Sequence, residues 1–256
     1  MQGGEMDPRA AWNRASPDYL ARYQRTDVPI HYGPWGPDEE QVRLLGPVQG
    51  KRILELGCGG GHISVALARQ GAEVTGVDIS DAQVAAARAL AQEVGVPVRF
   101  LRAAMEALEG LPDATWDLIL SIYALHYVAE VDSCLAACHR LLRPGGRLIF
   151  SLDHPFRNCF FDVEEQEMVS YPVRSYFQAE GLHWRFGVEQ VPMQTYHRPL
   201  SAWLDTIHGA GFQLLHLLEP PPDPALVAQE WPEDSPLAPL ALIPQTVIFV
   251  ARRPAA

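Results

Sequence analysis

The stretch that decides the fold runs from Ile53 to Ser64 and reads ILELGCGGGHIS. A short run of apolar, β-forming residues leads directly into glycines at alternate positions, Gly57, Gly59 and Gly61, and then into a helical pattern. A strand, a glycine loop and a helix in this order are typical of a site for a nucleotide-like cofactor, because glycine lets the backbone approach the ligand closely. The stretch alone leaves the identity of that cofactor open.

The segments around this stretch alternate between strand and helix patterns as far as residue 152. Ser80 or Asp81 is expected to cap the second helix, and the RPGG at 143–146 to close the third. This succession predicts a mostly parallel sheet with helices on both faces. The strand patterns cover 52–56, 73–77, 98–101, 116–121 and 147–152, and the helix patterns cover 61–70, 81–93 and 131–142.

Beyond residue 152 the alternation stops. Scattered aromatic, acidic and proline residues fill 153–199, and a last amphipathic helix lies within 199–212. Two strand patterns follow, at 213–219 and 245–251, and the proline-rich segment between them is interpreted as an extended connection. We predict a single domain over residues 1–256. Its parts are an N-terminal helical lid (1–46), a cofactor-binding core (47–152), a substrate-covering insertion (153–199) and a C-terminal helix with strands (200–256).

Composition narrows the class of partner. The 256 residues include 20 basic and 31 acidic ones, a formal net charge of -11, so no basic field is available for nucleic acid. The sequence has no apolar run of bilayer length and no signal-peptide pattern at its start, and its four cysteines follow neither a disulfide nor a zinc pattern. We therefore expect a cytoplasmic protein with a small-molecule substrate, no nucleic-acid or membrane partner, and either a monomeric or a homodimeric state.

Three residues test which cofactor the glycines hold. A dinucleotide fingerprint counted from Gly57 requires a small residue at position 62, where the chain has His62. The carboxylate of Glu55, two residues before the first glycine, would repel a pyrophosphate but would suit an ammonium group. Asp78, at the end of the next strand, fits the ribose hydroxyls of either type of cofactor.

Four motifs in order, LELGCGGG, VTGVDIS, WDLILSIYALHYV and LLRPGGRLIFS, resemble those of class I S-adenosylmethionine-dependent methyltransferases, in their small-molecule branch with a methyltransferase domain of the 11/25 type. The resemblance covers residues 40–152 closely. It implies an α/β Rossmann-like fold with a mostly parallel seven-stranded sheet, helices on both faces and an antiparallel last strand. Later segments, among them SLDHPF and YHRPLSAWLDTIHGAGF, are similar to a bacterial subgroup of these enzymes whose substrates are mostly undefined.

The resemblance implies a cofactor site for S-adenosylmethionine and its product S-adenosylhomocysteine. The loop of Gly57, Cys58, Gly59 and Gly61 would run under the methionine part, with Glu55 near its ammonium group. Asp78 would bind the ribose diol, Ile79, Ala104 and Met105 would enclose the adenine, and the backbone of Ser121 would approach the amino-acid end. Many relatives have Asp where Ala104 stands, so Glu106 or a backbone carbonyl would have to replace that acceptor.

Methyl transfer from a sulfonium needs an in-line nucleophile, and a base only where the nucleophile must lose a proton. His154 and His126 follow the fifth and fourth strands and are the candidate catalytic residues, with His197 as a candidate substrate contact. Each has a structural alternative. His126 could simply pack in the interior, His154 could shape the turn before Pro155, and His197 could pair with Arg198.

The aromatic residues near the N-terminus are candidates for a lid over the site. Tyr19, Tyr23, Tyr32 and Trp35 could cover the cofactor and substrate or could only pack the first helix onto the sheet; Tyr123 is a further candidate substrate residue. In the insertion, Trp184, Phe186, Tyr171 and Tyr176 could line the opposite wall or form the core of a hairpin. No metal is expected, since the acids around His154 lack ligand spacing.

Alternative functions follow from the same residues. A nucleic-acid or protein methyltransferase is disfavoured by the acidic charge and by SIYALHYV after the fourth strand, where such enzymes have an Asn-Pro-Pro-Tyr type of motif. A cofactor-binding module without catalysis, or a nicotinamide oxidoreductase with an unusual loop, also stays open.

Overall fold

The structure is a computed structural model that describes residues 6–24 and 29–255. The strands are β1 (Arg52–Leu56), β2 (Glu73–Asp78), β3 (Val98–Arg102), β4 (Trp116–Ile122), β5 (Leu142–Asp153), β6 (Phe161–Asp162), β7 (Glu167–Met168), β8 (Glu180–Phe186), β9 (Val191–His197), β10 (Gln213–Leu218) and β11 (Thr246–Arg252). The α-helices are α1 (Pro8–Tyr23), α2 (Glu39–Val42), α3 (His62–Arg69), α4 (Asp81–Val94), α5 (Val131–Leu141), α6 (Pro155–Asn158), α7 (Leu200–Gly209) and α8 (Pro224–Glu230), with short 3₁₀ turns at Leu125–Tyr127 and Ala238–Leu242.

The central sheet has seven strands in the order β10-β11-β5-β4-β1-β2-β3. The pairs β5-β4, β4-β1, β1-β2 and β2-β3 are parallel, whereas β11 is antiparallel to both β5 and β10. The predicted seven-stranded Rossmann-like sheet with an antiparallel last strand is therefore confirmed. The strand order reverses between β1 and β4, and such a switch point opens a crevice at the carboxyl ends of the strands.

The apolar character of β1 follows from burial on both faces. Leu54 and Leu56 pack in an apolar cluster with residues of α5 and α7, among them Trp203, while Ile53 points to the other face and packs with Leu67 of α3. Burying each such side chain stabilises the fold by roughly 1.5–3 kcal/mol. Continuous apolar strands of this kind are what a sheet covered on both sides requires.

Two local predictions were wrong. The RPGG sequence does not close α5, because its residues belong to β5, and Gly145 and Gly146 exchange backbone hydrogen bonds with Arg253 beyond β11. Pairing with a distant strand overrides the local turn signal here. The proline-rich connection is not simply extended, because it contains α8, which Asp223 caps through hydrogen bonds to the backbone N–H groups of Ala225 and Leu226.

A helix and a hairpin cover the carboxyl ends of the strands. Trp12 of α1 contacts Phe186 of β8, with ring centroids 6.2 Å apart, and both lie in an apolar cluster with Val191 and Met193 of β9. The carboxylate of Asp18 accepts a 2.6 Å hydrogen bond from the backbone N–H of Val188 in the hairpin turn. We refer to α1 and the β8-β9 hairpin together as the cover.

Within residues 6–24 and 29–255, no helix combines the length and apolarity needed to cross a bilayer.

Candidate active site

A cavity of about 540 Å³ lies between the carboxyl ends of the parallel strands and the cover. Glu55 at the end of β1, Asp78 at the end of β2, Tyr123 after β4 and Asp153 at the end of β5 all line it. The topology thus brings four chain-distant segments to one site, at the position that ligands prefer in open α/β sheets.

The glycine loop lines the cavity at positions where larger residues would not fit. Gly57 has φ 67°, and a Cβ on it would lie 2.3 Å from the Cβ of Ala124. A Cβ on Gly59 would lie 3.1 Å from the hydroxyl of Tyr19, which covers the loop from α1. The loop therefore presents backbone rather than side chains to a ligand.

Glu55 is a buried carboxyl at the floor of this end. It is 2% exposed and accepts a hydrogen bond from the hydroxyl of Ser64, which is fully buried in α3. Burial raises the pKa of Glu55 to about 8, against the opposing effect of the Ser64 hydrogen bond. A carboxyl in this state gains most from a cationic ligand, because the cation restores the charge that burial disfavours.

Asp78 connects the loop after β1 with the loop after β2. Its two carboxylate oxygens accept 2.9 Å hydrogen bonds from the backbone N–H groups of Gly59 and Ser80. Burial raises the pKa of Asp78, and the backbone hydrogen bonds counteract that effect. Each oxygen keeps a further lone pair for a hydroxyl of a ligand.

The remaining predicted cofactor residues divide into two groups. Ile79, Ala104 and Met105 line the cavity together with Cys58, and so does Glu106, the predicted replacement for an acceptor at position 104. Two others lie behind the cavity wall and do not line it. Gly61 precedes α3, where a Cβ would lie 2.7 Å from the Cβ of Ala87, and the buried Ser121 hydroxyl donates to the carbonyl of Leu56 at 3.1 Å.

A further polar side chain in the cavity lining comes from the turn after β4. His126, in the 3₁₀ turn after β4, is 6% exposed, and burial lowers its pKa to about 4, so its ring is neutral at pH 7. Its Nδ1 is buried and has no hydrogen-bond partner in the described structure. The ring of Tyr123 packs edge-on against the His126 ring, with centroids 5.9 Å apart. The Tyr123 hydroxyl shares a hydrogen bond with the hydroxyl of Thr246, in which either oxygen can be the donor.

His154 does not line the cavity. Its Nδ1 accepts a 3.0 Å hydrogen bond from the backbone N–H of Phe156, which caps α6, and its Nε2 therefore carries the proton and donates to Glu219 at 2.7 Å. Both ring nitrogens are used within the fold. This geometry supports the structural alternative for His154 and gives its predicted role as a base no support.

His197 also lies away from the cavity. Its Nε2 donates to the carbonyl of Tyr176 at 2.9 Å, and the ring is 4% exposed in β9. The expected pairing with Arg198 is absent from this part of the described structure, because Arg198 donates instead to the carbonyls of Val128 and Ala129. His197 thus ties the β8-β9 hairpin to the segment that precedes β8.

The predicted aromatic lid is only partly formed by the residues proposed for it. Tyr19, Tyr23 and Trp35 line the cavity. Tyr32 does not, because it is fully buried beside Leu45 and its hydroxyl donates to Glu39 at 2.6 Å. Its aromatic character therefore serves packing in the N-terminal segment.

The hairpin supplies the other aromatic wall. Trp184 and Phe186 line the cavity and also belong to the apolar core that joins the hairpin to α1, so both predicted alternatives hold for these two. Tyr171 is 63% exposed and Tyr176 packs beside His197, and neither lines the cavity.

The comparisons with known proteins agree with this geometry. A sequence profile described as a methyltransferase domain matches residues 54–150. An uncharacterized protein of Haemophilus influenzae is 34% identical over 189 residues, covering 70% of this chain and 74% of that protein. A solved S-adenosylmethionine-dependent methyltransferase from Mesorhizobium loti is 28% identical with a TM-score of 0.67, covering 84% of this chain and 96% of that one. The chain is a class I S-adenosylmethionine-dependent methyltransferase.

Curated relatives with an assigned reaction match a shorter region. A ubiquinone biosynthesis O-methyltransferase of Alkalilimnicola ehrlichii is 41% identical over 110 residues, which cover 43% of this chain and 44% of that protein. The match spans less than half the length of such relatives. The choice of acceptor is therefore argued from the structure.

The residues present fit the cofactor of the methyltransferase. The glycine cradle, whose space a Cβ would fill, would hold the methionine part, Glu55 would pair with its ammonium group and Asp78 would bind its ribose. When bound, S-adenosylmethionine supplies an activated methyl group with a good leaving group. Residues 6–24 and 29–255 contain no group of three or more His, Cys, Asp or Glu side chains placed to hold a metal ion.

Sequence reasoning missed three polar residues that line the cavity of the methyltransferase. Tyr127, Asp153 and Arg157 all line the cavity, and Asp153 forms an ion pair with Arg157 at 3.5 Å. A usable signal existed, since Asp153 and Arg157 stand at and just after the carboxyl end of a parallel strand.

Proposed function

We propose that this methyltransferase transfers a methyl group from S-adenosylmethionine to an O, N or C atom of a small-molecule acceptor. The observation that carries the proposal is that a single cavity is lined both by Glu55 and Asp78 beside the glycine loop and by His126 and Asp153 after β4 and at the end of β5. The cover closes over this cavity. An acceptor bound inside the cavity would therefore lie directly beside the cofactor. Transfer then depends mainly on alignment of the two molecules.

Oxygen is the favoured acceptor atom. Relatives that are 38–41% identical over part of the chain are named ubiquinone biosynthesis O-methyltransferases, a name that specifies methylation of oxygen. The acidic net charge of -11 and the aromatic walls suit a small organic molecule better than a nucleic acid. The four cysteines, all buried and free, are consistent with a cytoplasmic site of action.

His126 is the proposed general base for a hydroxyl or ammonium acceptor. Its ring is neutral at pH 7, lines the cavity and has an unpartnered Nδ1 that can accept a proton. The low pKa, caused by burial, makes it a weak base, and a nearby carboxylate, Asp153, raises the affinity of the ring for a proton. Proton removal of this kind contributes typically about 10²–10⁴-fold to rate.

The test is a methyl-transfer screen with radiolabelled S-adenosylmethionine against small phenols, catechols, carboxylates and amines. We expect product with at least one class, and with that acceptor His126→Asn should lower kcat about 100-fold while leaving the affinity for S-adenosylhomocysteine unchanged. His208→Asn, on the surface of α7 away from the cavity, is the matched control. Transfer to RNA, DNA or protein with none to small molecules would overturn the proposal.

A further inference from the structure

Arg157 stands apart from the other charged groups of the cavity. Among the described residues it is the only lysine or arginine that lines the cavity, while the acidic side chains there are Glu55, Asp78, Glu106, Asp153 and Glu167. Its side chain is 20% exposed, and it belongs to the short helix α6 that follows β5. A permanent cation in an otherwise acidic cavity needs an explanation.

The guanidinium of Arg157 is incompletely paired. Its Nε is shielded from solvent and has no hydrogen-bond partner in the described structure. Its Nη1 lies 3.5 Å from the Asp153 carboxylate, well beyond the length of a charge-assisted hydrogen bond. A buried donor without a partner is costly, and a guanidinium edge with free donors matches the two oxygens of a carboxylate.

Arg157 is close to the residues that would surround an acceptor. Its charge acts on both Tyr123 and His126, the two side chains after β4. The two buried carboxyls that would repel an anion, Glu55 and Asp78, belong to the glycine-loop end. Glu167 is exposed, so Asp153 is the main carboxylate competing for the guanidinium.

The cavity that contains this cation also has aromatic side chains in its lining. The rings of Tyr127 and Trp184 are tilted by 44° with centroids 6.4 Å apart, and Phe161 also lines the cavity. Flat apolar surfaces of this kind favour a planar ligand body.

We propose that Arg157 is a specificity-determining residue that binds a carboxylate on a planar, apolar acceptor, displacing its long contact with Asp153. The inference rests on the proposed function and adds the charge of the substrate to it. Without an acceptor, Asp153 is the ion-pair partner of the guanidinium. When the acceptor binds, Asp153 competes with its carboxylate and so lowers the affinity of Arg157 for the anion.

The experiment uses the intact protein saturated with S-adenosylhomocysteine and a matched pair of probes, benzoate and benzamide, which share a shape and differ in charge. Binding is measured by ligand-detected NMR titration. The wild-type protein should bind benzoate about tenfold more tightly than benzamide. Arg157→Gln should abolish this preference, and Asp153→Asn should increase it about threefold by removing the competing carboxylate.

Two controls separate the possible results. Arg69→Gln, on the exposed end of α3, should behave as the wild type. A structural ion pair predicts instead that Arg157→Gln and Asp153→Asn lose thermal stability together and that neither alters the probe preference. That result, or equal binding of both probes by the wild type, would overturn the assignment. Normal binding of S-adenosylhomocysteine in the same samples would leave the proposed function intact, whereas its absence would overturn both.

Discussion

The Ser64 hydroxyl donates a hydrogen bond to the buried carboxyl of Glu55 at the floor of the glycine loop. The donor comes from the first turns of α3 and the acceptor from the end of β1. A hydrogen bond within the strand–loop–helix unit therefore stabilises the charged form of Glu55. Cofactor binding should therefore depend on pH through this pair.

We predict that the affinity for S-adenosylhomocysteine rises as pH increases from 6 to 8. Burial raises the pKa of Glu55 to about 8, so at lower pH the carboxyl is protonated and must lose its proton to pair with the ammonium group. Ser64→Ala should weaken binding about fivefold at pH 7, because it removes a hydrogen bond to the charged form. Calorimetry across this pH range checks both effects.

Glu55→Gln should flatten that pH dependence. Ser201→Ala, at an exposed position of α7, should leave it unchanged. The stability of the protein without cofactor depends on pH in the opposite direction. A raised pKa means that the folded state binds more protons, so Glu55 lowers the free energy of unfolding as pH rises from its ordinary 4.5 towards 8. A wild-type affinity that is constant between pH 6 and 8 would show that Glu55 does not meet the cofactor cation.

Asp78→Asn should reduce the affinity for S-adenosylhomocysteine at least tenfold. The substitution keeps the shape but replaces an oxygen that accepts from Gly59 and stands ready for the ribose, and such charge-assisted bonds are worth about 1.5–3 kcal/mol. The measurement is the shift in melting temperature on adding the ligand. Asp205→Asn, on the exposed face of α7, is the control, and an unchanged shift in Asp78→Asn would remove this residue from the cofactor site.

His154→Ala should destabilise the protein without affecting cofactor affinity. The ring caps α6 through Phe156 and bonds Glu219, and losing a side-chain cap costs about 1 kcal/mol. His154→Asn should recover part of that loss, because asparagine is a good capping residue. Urea unfolding measures the change. Unaltered stability combined with a collapse of turnover would instead restore the catalytic role predicted from the sequence.

Asn13→Ala should loosen the cover over the site. The Asn13 side chain accepts hydrogen bonds from the Ser80 hydroxyl at 2.7 Å and from the backbone N–H of Ala82 at 3.2 Å, which holds α1 on α4. We expect faster amide exchange across 8–23 and an affinity for S-adenosylhomocysteine lower by about threefold. Arg14→Ala, which breaks only an exposed 3.9 Å ion pair, should exchange like the wild type. Identical exchange in both variants would mean that Asn13 does not anchor the cover.

The cofactor half of the fold could be predicted because its signals are local. A buried parallel strand, glycines with positive φ and a capped helix each leave a pattern within about ten residues, and β1, β2 and α4 lie within a residue of their predicted bounds. The RPGG prediction failed because the backbone partner of Gly145 and Gly146 is Arg253, which lies after β11 and far away in sequence.

The acceptor half could not be predicted with the same success, for a physical reason. His126 and His154 both follow strands and look equivalent in sequence, but the partner that engages His154 is Glu219, 65 residues away. Tyr32 likewise has the composition of a lid residue, and only its bond to Glu39 and its burial place it in the core. Side-chain partners from distant segments decide such roles, and no single stretch encodes them.

A crystal structure of the protein with S-adenosylhomocysteine tests the central claim most directly. We predict the homocysteine amino group at Glu55, the ribose hydroxyls at Asp78, and the sulfur directed along the cavity towards His126 and Tyr123, with free space between them for an acceptor. A sulfur directed away from His126, or a ribose that does not contact Asp78, would contradict the account.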